Sequence, residues 1–256
     1  MKRKIRPIFF LFIGSFLFSF ITAEIAVRYL GHYDADGNFF FRSKHLRPYR
    51  LPLIFLKEKF KHLSSSTVCG VYDPDLGWSS RPTCASEDGL YQFNADGIRT
   101  ISPDFQISKT APKGVLRIAL FGDSFTNGDG VSFADTWGYN LENNLRKAGI
   151  PAEVLNFGVG GFGMDQAFLR WKKSGYLFSP HIVIFGFQPE DVERNVNLIR
   201  LLYSSKTDIP LSKPRYVLEG NELKLINVPT LPPSALIAVM ENIESWDLLK
   251  YEYWYD

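Results

Sequence analysis

Histidine, cysteine, net charge and internal repetition are all scarce in this 256-residue chain, and each scarcity excludes something. Lysine and arginine number 29 against 27 aspartate and glutamate, and a net charge of +2 is too small to argue for nucleic acid or an acidic polymer as partner. The only two cysteines, Cys69 and Cys84, show no Cys-x-x-Cys spacing, so zinc is not suggested. No internal repeat or low-complexity tract points to a solenoid. Four histidines, His32, His45, His62 and His181, are the whole supply of imidazole bases. What remains is the composition of a globular protein, rich in phenylalanine (22 residues) and long enough to bury a good-sized core without staples.

Long hydrophobic runs are also rare, with one exception at the start. Lys2, Arg3, Lys4 and Arg6 precede the uncharged stretch "PIFFLFIGSFLFSFITA", Pro7 to Ala23. Roughly 17 residues is the short end of what spans a bilayer. A basic flank at the head of the chain argues against a buried core helix and leaves two readings for residues 1–31, a cleaved signal peptide or an uncleaved anchor. Ala23 suits a cleavage site, but Ile21 is a poor small-residue match, and apolar character resumes through "EIAVRYL". The anchor is the favoured reading. The positive-inside rule then places everything after Ala23 outside the cytoplasm. In such an oxidising compartment Cys69 and Cys84 can pair, closing a loop of about 15 residues that contributes on the order of 3 kcal/mol. The alternative is two unrelated thiols.

Residues 32–113 are rich in Pro, Gly, Ser and charge. "YDPDLGWSSRP" and "FNADGIRT" read as turns and short strands, which makes this stretch an irregular lead-in segment. From Gly114 a regular alternation begins and defines a part spanning 114–256. "VLRIALF" suits a buried strand. "FADTWGYNLENNLRKAGI" carries Trp137, Leu141, Leu145 and Ile150 at near-helical spacing, with Gly149 as its stop. "AEVLNF", "MDQAFLRWKKSGYLF" and "IVIFGF" come next as strand, helix and strand. Such βαβ units give a parallel sheet with right-handed crossovers, which binds ligands at the carboxyl ends of its strands. "PRYVLEGNELKLINVP" reads as a hairpin insertion near 214–227, turning at Glu219 to Asn221. "SALIAVMENIESWDLLKYEYWYD" reads as one amphipathic helix reaching Asp256.

Each strand is followed by a loop that carries something. The first is "GDSFTNG", the second "NFGVGGFG", and the third "GFQPEDVERN", with Glu190, Asp191 and Asn195. Together they resemble the SGNH hydrolases, also called the GDSL-type esterases and lipases. The likeness covers Gly114 to about Asn197. "LGW" and "NADGIR" upstream resemble the lead-in of membrane-anchored bacterial members. The resemblance implies an α/β fold, a three-layer α/β/α arrangement around a flavodoxin-like parallel sheet. It also implies Ser124 as nucleophile, with the backbone N–H groups of Ser124 and Gly161 donating to the oxyanion. Elementary chemistry agrees. A serine attacks an ester only if a base takes its proton and the developing negative oxygen meets fixed donors. A glycine in a tight turn lets a backbone N–H approach without a side chain in the way. The bland alternatives are Ser124 as a helix N-cap and Asp123 as a turn residue.

The chain departs from that family twice. Where a third-block asparagine is expected, Glu190 or Asp191 stands. Asp191 is nearly isosteric with asparagine but donates no hydrogen bond unless protonated, and losing one such donor typically costs about 100- to 1,000-fold in rate. No Asp-x-x-His occurs after the third strand. His181 lies at that strand's amino end, and at about 3.3 Å per residue it is roughly 20 Å from the edge bearing Ser124. The expectation is therefore a fold incomplete at its C-terminus, with further βα units and the histidine beyond Asp256, or else a chain that is not an ordinary hydrolase. "GVGGFG" also satisfies the dinucleotide pattern G-x-G-x-x-G, but the acidic residue about 20 positions on is missing. A non-catalytic relative that binds a glycan or a partner, and an acyltransferase to a sugar hydroxyl, are the other rivals. No metal or organic cofactor is implied. The expected partners are the membrane and an acyl ester, of a cell-surface or exported carbohydrate by inference from location.

Overall fold

A computed structural model of the chain describes residues 5–33, 39–42, 44–46, 53–63, 68–204 and 207–255. The basic flank Lys2 to Lys4 and the last residue, Asp256, lie outside them. The chain divides into two compact units, Met1–Pro52 with Tyr255–Asp256, and Leu53–Trp254.

The first unit is dominated by a helix, Ile5–Leu30. Its apolar stretch does not stop at Ala23, and Phe9–Leu30 is long and apolar enough to cross a membrane. Those 22 residues extend about 33 Å at 1.5 Å per residue, close to the thickness of a hydrocarbon core. Two of the hydroxyls within it are satisfied inside the helix, Ser15 donating to the Leu11 carbonyl and Thr22 to that of Phe18. A helix with its polar groups internally bonded is what a lipid environment requires. A small antiparallel sheet comes after it, built from Gly31–Tyr33, Phe39–Phe41 and Lys44–Leu46.

The second unit is mixed α/β, built on a parallel three-stranded sheet. The central strand, Leu116–Gly122, pairs with Ala152–Asn156 on one side and Ile182–Gly186 on the other. Ala119, Leu120 and Phe121 are fully buried, as expected for a parallel strand covered on both faces. Phe121 stacks on Phe157 with centroids 4.8 Å apart, and Ile98, Leu155, Ala167 and Phe178 complete that cluster. The helix after the first strand runs Trp137–Lys147. Thr136 caps it by accepting from the Tyr139 N–H, a one-turn 3-10 segment precedes it, and Gly149 at φ +82° ends it. The helix after the second strand, Met164–Lys173, passes into a 3-10 turn at Gly175–Phe178. The hairpin Arg215–Glu219 and Glu222–Ile226 turns at Gly220 and Asn221.

Residues 53–113 lie in the same compact unit as the sheet. A helix, Leu53–Leu63, and two short hairpins supply Leu56, then Leu76 and Trp78, then Cys84 and Phe93 to the core. Trp78 meets Phe162 edge-on at 5.8 Å and donates its indole N–H to the Gly160 carbonyl. Cys69 and Cys84 are joined as a disulfide, settling the choice the sequence left open.

The C-terminal stretch is not one helix. It is helical only over Pro233–Glu241, breaks at Asn242, and continues as 3-10 turns at Ile243–Ser245 and Leu249–Tyr251. The cause is tertiary. The buried Glu252 carboxylate accepts from the backbone N–H groups of Leu198, Ile199 and Trp254, and from the Asn197 amide. A straight helix could not return the chain to that position.

Candidate active site

The central strand ends at Gly122, and the chain turns at once. Asp123 caps a one-turn helix, Ser124–Asn127, by accepting from the Phe125 N–H, and Gly128 closes it in the left-handed region at φ +79°. The cap is therefore Asp123, not Ser124. Ser124 is the first helical residue, half-buried at the carboxyl end of the strand, in a cleft it shares with Phe125, Asp129, Val131, Thr136 and Trp137. Its carbonyl accepts from the N–H groups of Gly128 and Asp129.

The second loop is held directly against this turn. The Val159 N–H donates to the Gly122 carbonyl at 3.0 Å, and a Cβ on Gly158 would lie 2.3 Å from the Asn127 nitrogen. Only glycine permits that backbone-on-backbone contact. Asn156, at the end of the second strand, braces both loops: its amide donates to the Thr126 carbonyl and accepts from the Gly158 N–H. Gly161 has φ +77°, so a side chain there would be strained as well as obstructive. The Arg200 guanidinium rests against Gly161 and donates to its carbonyl at 3.4 Å. Burial pulls the pKa of Arg200 down to about 10, the cation of Arg194 adding to the effect, so Arg200 remains charged at neutral pH.

Asp123 is more than a turn residue. It is 1 % exposed, and its Oδ2 accepts from Arg194 at 2.6 Å and from the Gln188 amide at 3.1 Å. The same Arg194 donates to the Phe162 carbonyl of the second loop and pairs with Asp191 and Glu190 of its own. One guanidinium thus ties all three strand-end loops together. The signal was in "EDVERN", where an arginine stands three and four residues after two acids at helical spacing.

Asp191 lies buried in this cluster, at 1 % exposure, accepting from the Gln188 N–H at 3.1 Å and from Arg194 at 3.4 Å. Burial, reinforced by the nearby Asp123 charge, pushes its carboxyl up to about 6. The folded chain therefore holds a proton that the unfolded chain, near 3.8, releases. The stability this provides is complete below the unfolded value and is lost as pH rises through about 6. Asp191→Asn cannot ionise and keeps the shape. Thermal melts are expected to show it more stable than the parent by about 1–2 kcal/mol at neutral pH, with the gap closing in acid. An equal or lower melting temperature at neutral pH would show that Arg194 holds the carboxylate ionised at no net cost.

The histidines do not gather here. His181 accepts from the Arg117 N–H at the opposite end of the central strand, as its position predicted. His32 stacks on Phe40 within the N-terminal unit, and the His45 side chain lies outside the described residues. His62 ends the helix Leu53–Leu63 and lines a cavity that Asn127, Asp129 and Gly160 also line. Among the described residues no side chain is hydrogen-bonded to the Ser124 hydroxyl, and no group of three or more His, Cys, Asp and Glu could hold a metal.

No protein-family profile matches this chain, and no curated protein matches it. Among solved structures, the crystal structure of AlinE4, an SGNH-hydrolase family esterase, is 30% identical over 33% of this chain and 46% of that one, with a TM-score of 0.29. A mutant of the same esterase matches at 29% identity, with the same coverage and TM-score. The chain thus spans about half the length of the solved structures it matches.

Proposed function

We propose that the second unit is an SGNH-type serine ester hydrolase whose nucleophile is Ser124. The observation that supports this reading is the close contact between the Gly158 loop and the turn that bears Ser124 at the carboxyl end of the central strand. Gly138 rests on Leu120, while Ala167 packs with Ala119 and Phe121, alternate residues of one strand. That alternation supports helices on both faces and hence the three-layer arrangement.

In this reading the Ser124 oxygen bonds to the acyl carbon, and the carbonyl oxygen takes up negative charge facing the N–H groups of Ser124 and Gly161. Arg200 adds a fixed positive charge against Gly161, where the asparagine of the family is replaced by Asp191. The alcohol leaves with the proton that the Ser124 hydroxyl gives up, and water or a sugar hydroxyl then takes the acyl group and returns a proton to the serine oxygen. The N-terminal helix serves as a single-pass anchor that holds the unit outside the cytoplasm, and the ester belongs to an exported or surface carbohydrate. A second reading is favoured by one observation, the absence of a base bonded to Ser124 among the described residues. It makes the chain a catalytically impaired relative that binds the same class of molecule.

A fluorophosphonate probe separates them, because only an activated serine is labelled. The parent chain is expected to label and Ser124→Ala to lose the label, with the melting temperature nearly unchanged because one loop hydroxyl is removed. Labelling that persists in the variant would place the nucleophile elsewhere. A parent that never labels would leave the binding reading.

A further inference from the structure

Arg200 differs from the other cations drawn into the second unit. Arg117 and Lys213 pair with acids, and Arg99 donates to four backbone carbonyls. Arg200 is half-buried, yet among the described residues it makes no ion pair and one hydrogen bond, from Nη1 to the Gly161 carbonyl at 3.4 Å. Its Nε and Nη2 have no partner there. The Nε atoms of Arg99, Arg170, Arg194 and Arg215 are sealed without partners, whereas Nε and Nη2 of Arg200 keep access to solvent.

The group is held in place from two directions. Its guanidinium carbon lies 5.2 Å from the centre of the Tyr203 ring, and Tyr203 is set by an edge-on contact with Trp254 at 5.1 Å and a hydroxyl that donates to Glu193 at 3.4 Å. It also rests on Gly161, where a Cβ would come within 3.3 Å of the guanidinium carbon. The acids nearby, Glu190 and Asp123, are hydrogen-bonded to Arg194 and not to Arg200. A half-buried cation with unused donors is costly, and an incoming anion offsets that cost. The two unused nitrogens share one edge of the guanidinium, with N–H bonds that run parallel. That fork fits two oxygens of a carboxylate or phosphate. The site adjoins the chemistry, because Gly160, next to Gly161, packs against Asp129, which lines the Ser124 cleft.

We propose that the Nε–Nη2 edge of Arg200 is an anion subsite beside the Ser124 cleft, holding a carboxylate or phosphate group of the substrate by a two-point hydrogen bond. The proposal rests on Ser124 as the nucleophile and adds a property of the substrate: the ester carries a negative charge. Arg200 acts here as a binding residue, and Tyr203 fixes the direction of its fork.

The test uses the full chain in detergent, with benzoate and phenyl phosphate as probes and benzamide as the neutral control. Saturation-transfer NMR is expected to show millimolar binding of an anion, and none of benzamide, by the parent and by Ser124→Ala. The tighter of the two probes identifies the anion. Arg200→Met should weaken that binding about 10- to 100-fold. Arg200→Lys keeps the charge and loses the fork, so it should weaken binding by less, and it carries the test if the methionine variant does not fold. No anion binding, binding that neither variant changes, or equal binding of benzamide overturns the subsite. Turnover of 4-acetoxybenzoate and phenyl acetate adds a second readout. Arg200→Met should raise KM for the charged ester and not for the neutral one. An equal fall in kcat on both esters with KM unchanged overturns the subsite, because Arg200 then serves the oxyanion alone. Phosphonate labelling of Ser124 is read separately. Labelling without anion binding overturns the subsite and leaves the hydrolase reading. Anion binding that Arg200→Met abolishes, in a chain that never labels, supports the anion site and overturns the hydrolase reading.

Discussion

Arg194→Met is expected to destabilise the Leu53–Trp254 unit by about 3–5 kcal/mol, the usual result of removing one partner from a buried ion cluster. Arg194 is 6 % exposed and bonds the Asp123 carboxylate, the Phe162 carbonyl and the acids of its own helix. Its loss leaves Asp123 and Asp191 buried near each other with only the Gln188 amide and backbone donors between them. Denaturant melts check the magnitude. Their pH dependence checks the cause, because two unpaired buried carboxylates are relieved by protonation, and the variant should recover part of its deficit in acid. A loss below about 1 kcal/mol, flat with pH, would show that the cluster is held by packing instead. Phosphonate labelling of Ser124 should fall with it, since all three loops lose their common tie.

A second large effect is expected at Lys213, which is 1 % exposed and donates to Asp165, to the Pro214 carbonyl at 2.9 Å and to the Asn197 carbonyl at 3.3 Å. Burial pulls the lysine down and pushes Asp165 up, each opposed by the attraction of the other. Lys213→Met strands the carboxylate at the start of the helix Met164–Lys173, again at about 3–5 kcal/mol. Adding Asp165→Asn removes the stranded charge and should restore most of the loss, because a buried pair is dear to break and cheap to replace. A double variant as unstable as Lys213→Met would show that the lysine acts through its two carbonyl contacts and not through the acid.

Much of this molecule was legible in its residues. The near-continuous apolar run before "GDS" suited a buried strand, and the structure has one there. Helical spacing in "WGYNLENNLRK" and the glycine after it set one helix and its end. The uncharged run at the start pointed to an apolar helix, and the strand-end rule put Ser124 at the carboxyl edge of the sheet and His181 at the amino edge. These are local properties, set by periodicity, by backbone freedom and by distance along an extended strand.

What the sequence could not show depends on residues far apart in it. The C-terminal stretch leaves its helix at Asn242, and its Glu252 carboxylate is held more than 50 residues back, by the N–H groups of Leu198 and Ile199. Asp123 reads as a turn residue until Arg194 arrives from the third loop. The choice between a disulfide and two thiols was decided by how two hairpins bring Cys69 and Cys84 together. Asn127 looks like filler in "GDSFTNG", and only packing buries it with its amide donating to Asp129. Spacing along the chain determines which elements form. Burial and charge pairing across it determine which side chains those elements can use.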